Sequence, residues 1–371
     1  MATPRLPRSA IDPGVALERT VVPALLRPPC AVSFSGGRDS SLVLAAAVRV
    51  ARREGLTDPI PVTVRFPGAA QTEEHEWQER VVRHLGIDDW VRLDVGDELD
   101  CVGPVAQRVL RRHGVLWPPN VHFHVPQLEY AAGGALLTGV GGDEIFSPSG
   151  WTRLRRLAAG RAVPEPRDVL RLGAALSPRL VRRRIVVARS DLELDWLRAG
   201  ARHEVIAALA SEVSREPLTW SRRLAWLAGL GYLRTGTESL AVLGEDHDVV
   251  VLHPLLDPNF VGSIASLPRS GRFEDRTGGL VSLFSELLPA EILSRETKAV
   301  FTDVLWASSS RTLAGTWDGD CVDGALVDVD ALRRRWHDVG APGPYTLLQS
   351  IWLERAASAA DRLEQPVDSP G

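Results

Sequence analysis

Three short stretches carry side chains whose types and spacing suit chemistry. The first is Ser35-Gly36-Gly37-Arg38-Asp39-Ser40-Ser41, set between the apolar run Cys30 to Phe34 and a helix-forming run that starts at Ser40. Two glycines allow a sharp turn that brings backbone N–H groups close to an anion. The helix N-terminus behind them adds partial positive charge, and Ser35 and Ser40 add hydroxyl donors. Asp39 would repel a bare phosphate, so its place here implies a bridging divalent cation. The spacing matches neither GxxxxGK before Ser or Thr nor GxGxxG, which argues against a P-loop and a dinucleotide site. A Gly-Gly turn capped by Asp39 is the plain structural alternative.

The second stretch is Thr138-Gly139-Val140-Gly141-Gly142-Asp143-Glu144-Ile145-Phe146, at the end of a run with strand character. Open α/β sheets bind ligands outside the carboxyl ends of their strands. Asp143 is thereby expected to face Asp39 across a crevice and share its cation. A glycine-rich turn with an exposed acidic pair is the competing reading. The third candidate is Lys298. Lys and Arg total 43, and Lys298 is the sole lysine. Arg serves where only positive charge matters, but a compact ammonium is needed to reach one oxygen or to shift its pKa. Chance survival in an arginine-rich chain is the bland explanation.

These residues need elements to position them. Cys30–Phe34, Ile60–Phe66, Trp90–Val95 and Ala135–Thr138 read as strands, and Val249–Leu252 as a further strand or a buried extended segment. Helical periodicity covers 14–26, with Pro23 inside, then 40–53, 72–85 with Thr72 as N-cap, and 99–112. Another helix is expected to close at 130–132. This alternation predicts a doubly wound parallel sheet. Beyond residue 150 helical patterns dominate, at 151–160, 166–176, 191–214, 217–234, 279–288 and 344–363. The ends, including 366–371, are expected to be disordered.

Composition excludes several classes. Hydrophobic residues are 44% and charged residues 24%, ordinary for a globular protein with a sizeable core. A net charge of −4 without a dense basic block argues against nucleic acid. No apolar run approaches the roughly 20 residues needed to span a bilayer. The opening Met-Ala-Thr-Pro-Arg lacks an apolar signal region. Cys30, Cys101 and Cys321 lack metal spacing and read as buried thiols in a reducing compartment, so a cytoplasmic location is expected.

Ser35–Ser41 resembles the SGGxDS loop of N-type ATP pyrophosphatases. Thr138–Phe146 resembles the TGxGxDExF motif of class B asparagine synthetases and relatives such as beta-lactam synthetase and lasso-peptide cyclases. Pro254-Leu255-Leu256-Asp257 is similar to their PFLD segment, although Leu252 stands where an arginine is usual. Arg295-Glu296-Thr297-Lys298-Ala299-Val300-Phe301-Thr302-Asp303 is similar to a stretch of those families in which the lysine is catalytic. The resemblance runs from about residue 15 to about 305. It implies an α/β ATP-pyrophosphatase core at 29–150 after a helical lead-in, 1–28, and a helical substrate-binding part at 151–365. It also implies an AMP-forming amide ligase that uses ATP and Mg²⁺. ATP would contact Ser35, Gly36, Gly37, Arg38, Asp39, Ser40 and Gly141. Asp39, Asp143 and Glu144 would hold the metal, and Lys298 would stabilise charge on the acyl-adenylate and pyrophosphate.

The departures narrow the substrate. No glutaminase domain fits before Ser35, so the nucleophile is expected to be free ammonia, an amine delivered by a partner, or an amine within the substrate. Val140 replaces the glutamate of asparagine synthetases and the tyrosine of beta-lactam synthetase, and valine moves no proton. The pattern is most similar to lasso-peptide cyclases, which join a peptide's Asp or Glu side chain to its N-terminal amine. The expected partners are therefore a carboxylate-bearing substrate such as a precursor peptide, with a protease or leader-peptide-binding protein. The alternatives are a synthetase half fed by ammonia or a separate glutaminase, and a non-catalytic scaffold in a peptide-processing complex. Among other features, His122-Phe123-His124 reads as packing or cleft lining on an extended segment. Arg182-Arg183-Arg184 reads as a solvated face able to help hold a peptide or phosphate, and Trp220 and Trp226 as core. The acidic run from Asp318 to Asp330 reads as a loop.

Overall fold

The computed structural model describes residues 5–72, 74–297, 299–337 and 343–364. Five strands, β1 (Cys30–Ser33), β2 (Ile60–Arg65), β3 (Val91–Asp94), β4 (Ala135–Leu137) and β5 (Val250–Leu252), form one parallel sheet in the order β3-β2-β1-β4-β5. The extended segment at 249–252 is thus the edge strand. The expected doubly wound α/β sheet is present. Its central strands are mostly apolar because helices cover both faces.

Alternate residues supply the two faces. Val32, Ala135 and Leu137 join a core with α1 (Pro13–Leu25) and α2 (Arg38–Glu54). Ala31, Val62 and Leu136 join a second core with α4 (Pro104–His113) and α5 (Val125–Tyr130), while α3 (His75–Leu85) packs beside α2. Chain continues through α6 (Gly142–Ile145), α7 (Thr152–Ala158), α8 (Pro166–Leu176), α9 (Arg179–Ala188), α10 (Ala199–Val213), α11 (Trp220–Ala228), α12 (Gly231–Glu245), α13 (Pro258–Ala265) and α14 (Arg276–Phe284). Trp220, Leu224, Phe260 and Phe284 from these later helices enter the same core as α1 and α2. A third core of Trp306, Trp317, Trp336, Leu348 and Ile351 packs on Val102 and Leu110. Buried Asp100 joins it to the sheet domain, accepting N–H bonds from Val102 (2.9 Å), Ala307 (2.8 Å) and Ser310 (3.1 Å).

Several local expectations are corrected. Thr72 ends a 3-10 turn, its hydroxyl donating to Ala69 O at 2.7 Å, and α3 begins only at His75. Residues 121–124 form a 3-10 helix rather than an extended segment. Helix α10 starts at 199, eight residues later than the apolar pattern, and 179–188 is helical although only its arginines stood out. Trp220 is buried but Trp226 is half-exposed, and Cys321 is only partly covered. The tail 366–371 lies outside the described residues. Among them no helix is long and apolar enough to cross a membrane.

Burial holds the His122 and His253 imidazoles down at about 4, against roughly 6.5 when unfolded. Between those values the unfolded chain binds more protons, so stability is full above pH ~6.5 and falls toward pH ~4. Each histidine should cost roughly 3 kcal/mol by the acid end of that window. Urea midpoints measured across it should fall steadily, and His122→Asn should flatten the slope. An unchanged slope in the variant would contradict this origin.

Candidate active site

The chain winds outward from β1 to β3 on one side and passes to β4 and β5 on the other, so the loops after β1 and β4 open one crevice. The Ser35–Ser41 loop follows β1 and the Gly139–Asp143 loop follows β4. Missing side chains let them touch. A Cβ on Gly139 would stand 2.8 Å from Ser40 N, and one on Gly142 would overlap the Asp39 carboxylate. Gly141 has φ +95° and is closed over by Leu256, which ties the 254–257 turn to the second loop. Leu252 is half-buried and packs on the core, while Asp257 caps α13 through Asn259 N–H at 2.7 Å.

The first loop is braced from within. Ser35 Oγ and Ser40 Oγ are 3.2 Å apart, Gly37 N–H donates to Ser35 Oγ at 3.2 Å, and Ser40 Oγ donates to Gly37 O at 3.1 Å. Gly36 has φ +81° and faces Gln78, whose amide donates to Ser35 O at 3.0 Å. The first turn of α2 keeps N–H groups that no helical carbonyl takes. Arg38 donates to Thr277 Oγ1 at 3.0 Å, and burial followed by the Arg276 charge holds its pKa below the usual arginine range.

Asp39 and Asp143 meet on one guanidinium. Arg276, the first residue of α14, donates from Nη2 to Asp39 Oδ2 at 2.5 Å and from Nη1 to Asp143 Oδ1. Asp275 caps that helix, accepting Gly278 N–H at 2.7 Å, and so fixes where Arg276 begins. Two carboxylates from separate loops converging on one positive charge fit a hard divalent cation. Among the described residues no three His, Cys, Asp or Glu gather into a closed metal site, so phosphate oxygens would have to complete the shell. Glu144 takes another partner. It accepts the Tyr232 hydroxyl at 2.9 Å, and burial, then the Glu144 charge, pushes that phenol well up.

Lys298 lies outside the described residues. Its neighbours are fixed by a buried pair: Arg295 donates to Gly36 O at 2.6 Å, to Thr297 Oγ1 at 2.9 Å, and to Glu74. Glu74 also accepts Ala299 N–H at 2.8 Å. The third motif is therefore tied to the first loop through Arg295 and to the start of α3 through Ala299, one on each side of position 298. Val140 is half-buried against the core, its N–H donating to Thr138 Oγ1 at 3.3 Å. The His253 imidazole stands beside this turn, its Nδ1 2.7 Å from Thr138 Oγ1. His122 is a packing residue whose Nε2 lies 3.0 Å from Leu99 O.

Sequence reasoning missed Arg276, Glu74, Gln78, Tyr232 and His253. Asp275 as an N-cap was the one local signal for Arg276. Arg295 stood inside a recognised motif but without a role.

A family model described as asparagine synthase matches residues 16–355. No curated protein matches the chain.

Removing one partner of the buried Glu74–Arg295 pair strands a charge, at a cost of about 3–5 kcal/mol. Arg295→Met should lose that much in urea unfolding, and Glu74→Gln a comparable amount. A loss below about 1 kcal/mol in both would show that the pair does not hold the loop.

Proposed function

The chain belongs to the asparagine synthase family, whose members are ATP-dependent carbon–nitrogen ligases, and on that premise we propose that it joins a carboxylate to an amine through an acyl-adenylate. The observation that carries this reading is the meeting of Asp39 and Asp143 on one cation at the sheet's switch point. A substrate carboxylate oxygen attacks the α-phosphorus of ATP and the bond to pyrophosphate breaks. The amine then attacks the acyl carbon, AMP leaves, and the amine's proton passes to a base.

This chain's residues serve those steps as follows. The Ser35–Ser40 loop, the α2 N-terminus and Gly141 bind the phosphates, with Arg38 beside them. Asp39 and Asp143, with Glu144 nearby, would hold Mg²⁺, which supplies neutralisation of the triphosphate charge when bound. Lys298, carried over from the motif, stabilises developing charge, an effect of roughly 3–4 kcal/mol by analogy with oxyanion donors. Val140 offers no proton acceptor. That favours an amine partly neutral near pH 7, such as a peptide's α-amine at about 8 rather than a lysine side chain at about 10. A peptide whose own N-terminus attacks its activated Asp or Glu meets that requirement, which supports macrolactam formation over asparagine synthesis.

With a peptide bearing a free N-terminus and an internal Asp or Glu, the enzyme should release AMP and pyrophosphate, and mass spectrometry should show loss of one water. ADP and phosphate would overturn adenylation, whereas asparagine from aspartate and ammonia would replace the peptide substrate. Asp39→Asn and Lys298→Met should each lower the rate by about a hundredfold or more, with unfolding midpoints close to wild type.

A further inference from the structure

The helices that follow the second loop enclose a groove that the chemistry above does not use. Helix α9 forms one wall, and α10, α11 and the turn between them form the other, around about 940 Å³. Arg179, Arg182, Arg215 and Arg222 line it, against two carboxylates, Glu212 and Glu216. Both carboxylates are already engaged. Glu216 Oε1 accepts from Arg223 Nε and Ser149 Oγ, each at 2.8 Å, and Glu212 Oε1 accepts Gly231 N–H at 3.1 Å.

The cationic side is not neutralised from within. Arg182 Nη1 donates to the Glu216 backbone O at 3.4 Å, while its Nε is buried without a hydrogen-bond partner. Arg179, Arg215 and Arg222 make no ion pair among the described residues. Guanidinium donors without a carboxylate partner in the chain are open to acceptors from outside. Apolar surface lies alongside: Leu218 and Trp226 are in the lining, and Leu172, Leu176 and Leu180 on α8 and α9 are 49%, 71% and 73% exposed. The charge is concentrated too. Residues 151–190 hold eleven arginines against Glu165 and Asp168, a net +9 in a chain that totals −4.

We propose that this groove docks an acidic polypeptide segment with apolar residues among its carboxylates. Guanidinium forks grip carboxylates in pairs, and the leucines receive the apolar side chains between them. The concave shape favours a chain over a flat lipid surface. Docking would be felt at the crevice. Arg223, paired with Glu216, donates to Ser147 O at 3.1 Å and Pro148 O at 3.2 Å, directly after the second motif. Glu212 holds the start of α12 one residue before Tyr232, whose hydroxyl reaches Glu144. Docking does not depend on the adenylation reading.

The test is fluorescence anisotropy on the full chain with a labelled synthetic peptide of Glu with Leu at helical spacing. Binding should weaken steeply with added salt. It should drop about tenfold or more in Arg182→Glu/Arg215→Glu and stay unchanged in Arg189→Glu, outside the groove. If the double variant does not fold, Arg222→Glu alone is scored by the same drop. No binding, equal binding of a Lys-Leu peptide, undiminished binding by the variants, or binding only to vesicles of phosphatidylserine overturns the proposal. ATP–pyrophosphate exchange by the wild type with a small carboxylate is read separately, so failure of docking and failure of adenylation remain distinct.

Discussion

Two aspartates repel one another, and this structure brings Asp39 and Asp143 to a single place. That arrangement stands only with a positive charge between them, and Arg276 supplies it. The rest follows from this requirement. The carboxylates come from loops on two adjacent strands, β1 and β4, which the parallel order of the sheet sets side by side. The guanidinium comes from a helix 237 residues beyond Asp39 and 133 beyond Asp143, and Asp275 sets the start of that helix. A hard cation with phosphate oxygens satisfies the same pair of carboxylates by the same electrostatics.

Backbone proximity does as much as charge. Gly139 and Gly142 allow the second loop to lie against Asp39 and Ser40, and Gly36 turns the first loop onto Gln78. A Cβ at Gly139 or Gly142 would hold the loops apart and separate the carboxylates. The bond network inside Ser35–Ser40 then sets that loop's shape without a ligand. Such preorganisation costs little reorganisation when charge develops.

The parts legible in the sequence were those written locally. Strands β1 to β4 and the loops after β1 and β4 showed because alternation, apolar runs and Gly-rich turns are properties of neighbouring residues. The family resemblance added an order of motifs that the sheet accommodates. Arg276 and the Glu74–Arg295 pair were not legible, because a long side chain reaching across the fold leaves no spacing to read. Helix starts slipped where a polar residue could cap two competing turns, as at Thr72, whose hydroxyl is spent on Ala69 O. At 191–198 the apolar pattern continued, but Leu197 pairs across an isolated bridge with Val327, so tertiary contact overrode local preference. The arginines of 179–188 showed as charge rather than as the wall of a groove, since concavity depends on α10 and α11.

The Glu74–Arg295 contact spans 221 positions of the chain. Closing so wide a loop carries an entropic penalty that only an already formed sheet can offset. During synthesis, α2 and α3 emerge and settle long before residue 295 exists, so their loop must wait with Glu74 lacking this partner. The crevice is therefore completed late, after about four-fifths of the polypeptide has been made. A truncated product ending before that point would retain the nucleotide loop yet lack the strut that steadies it.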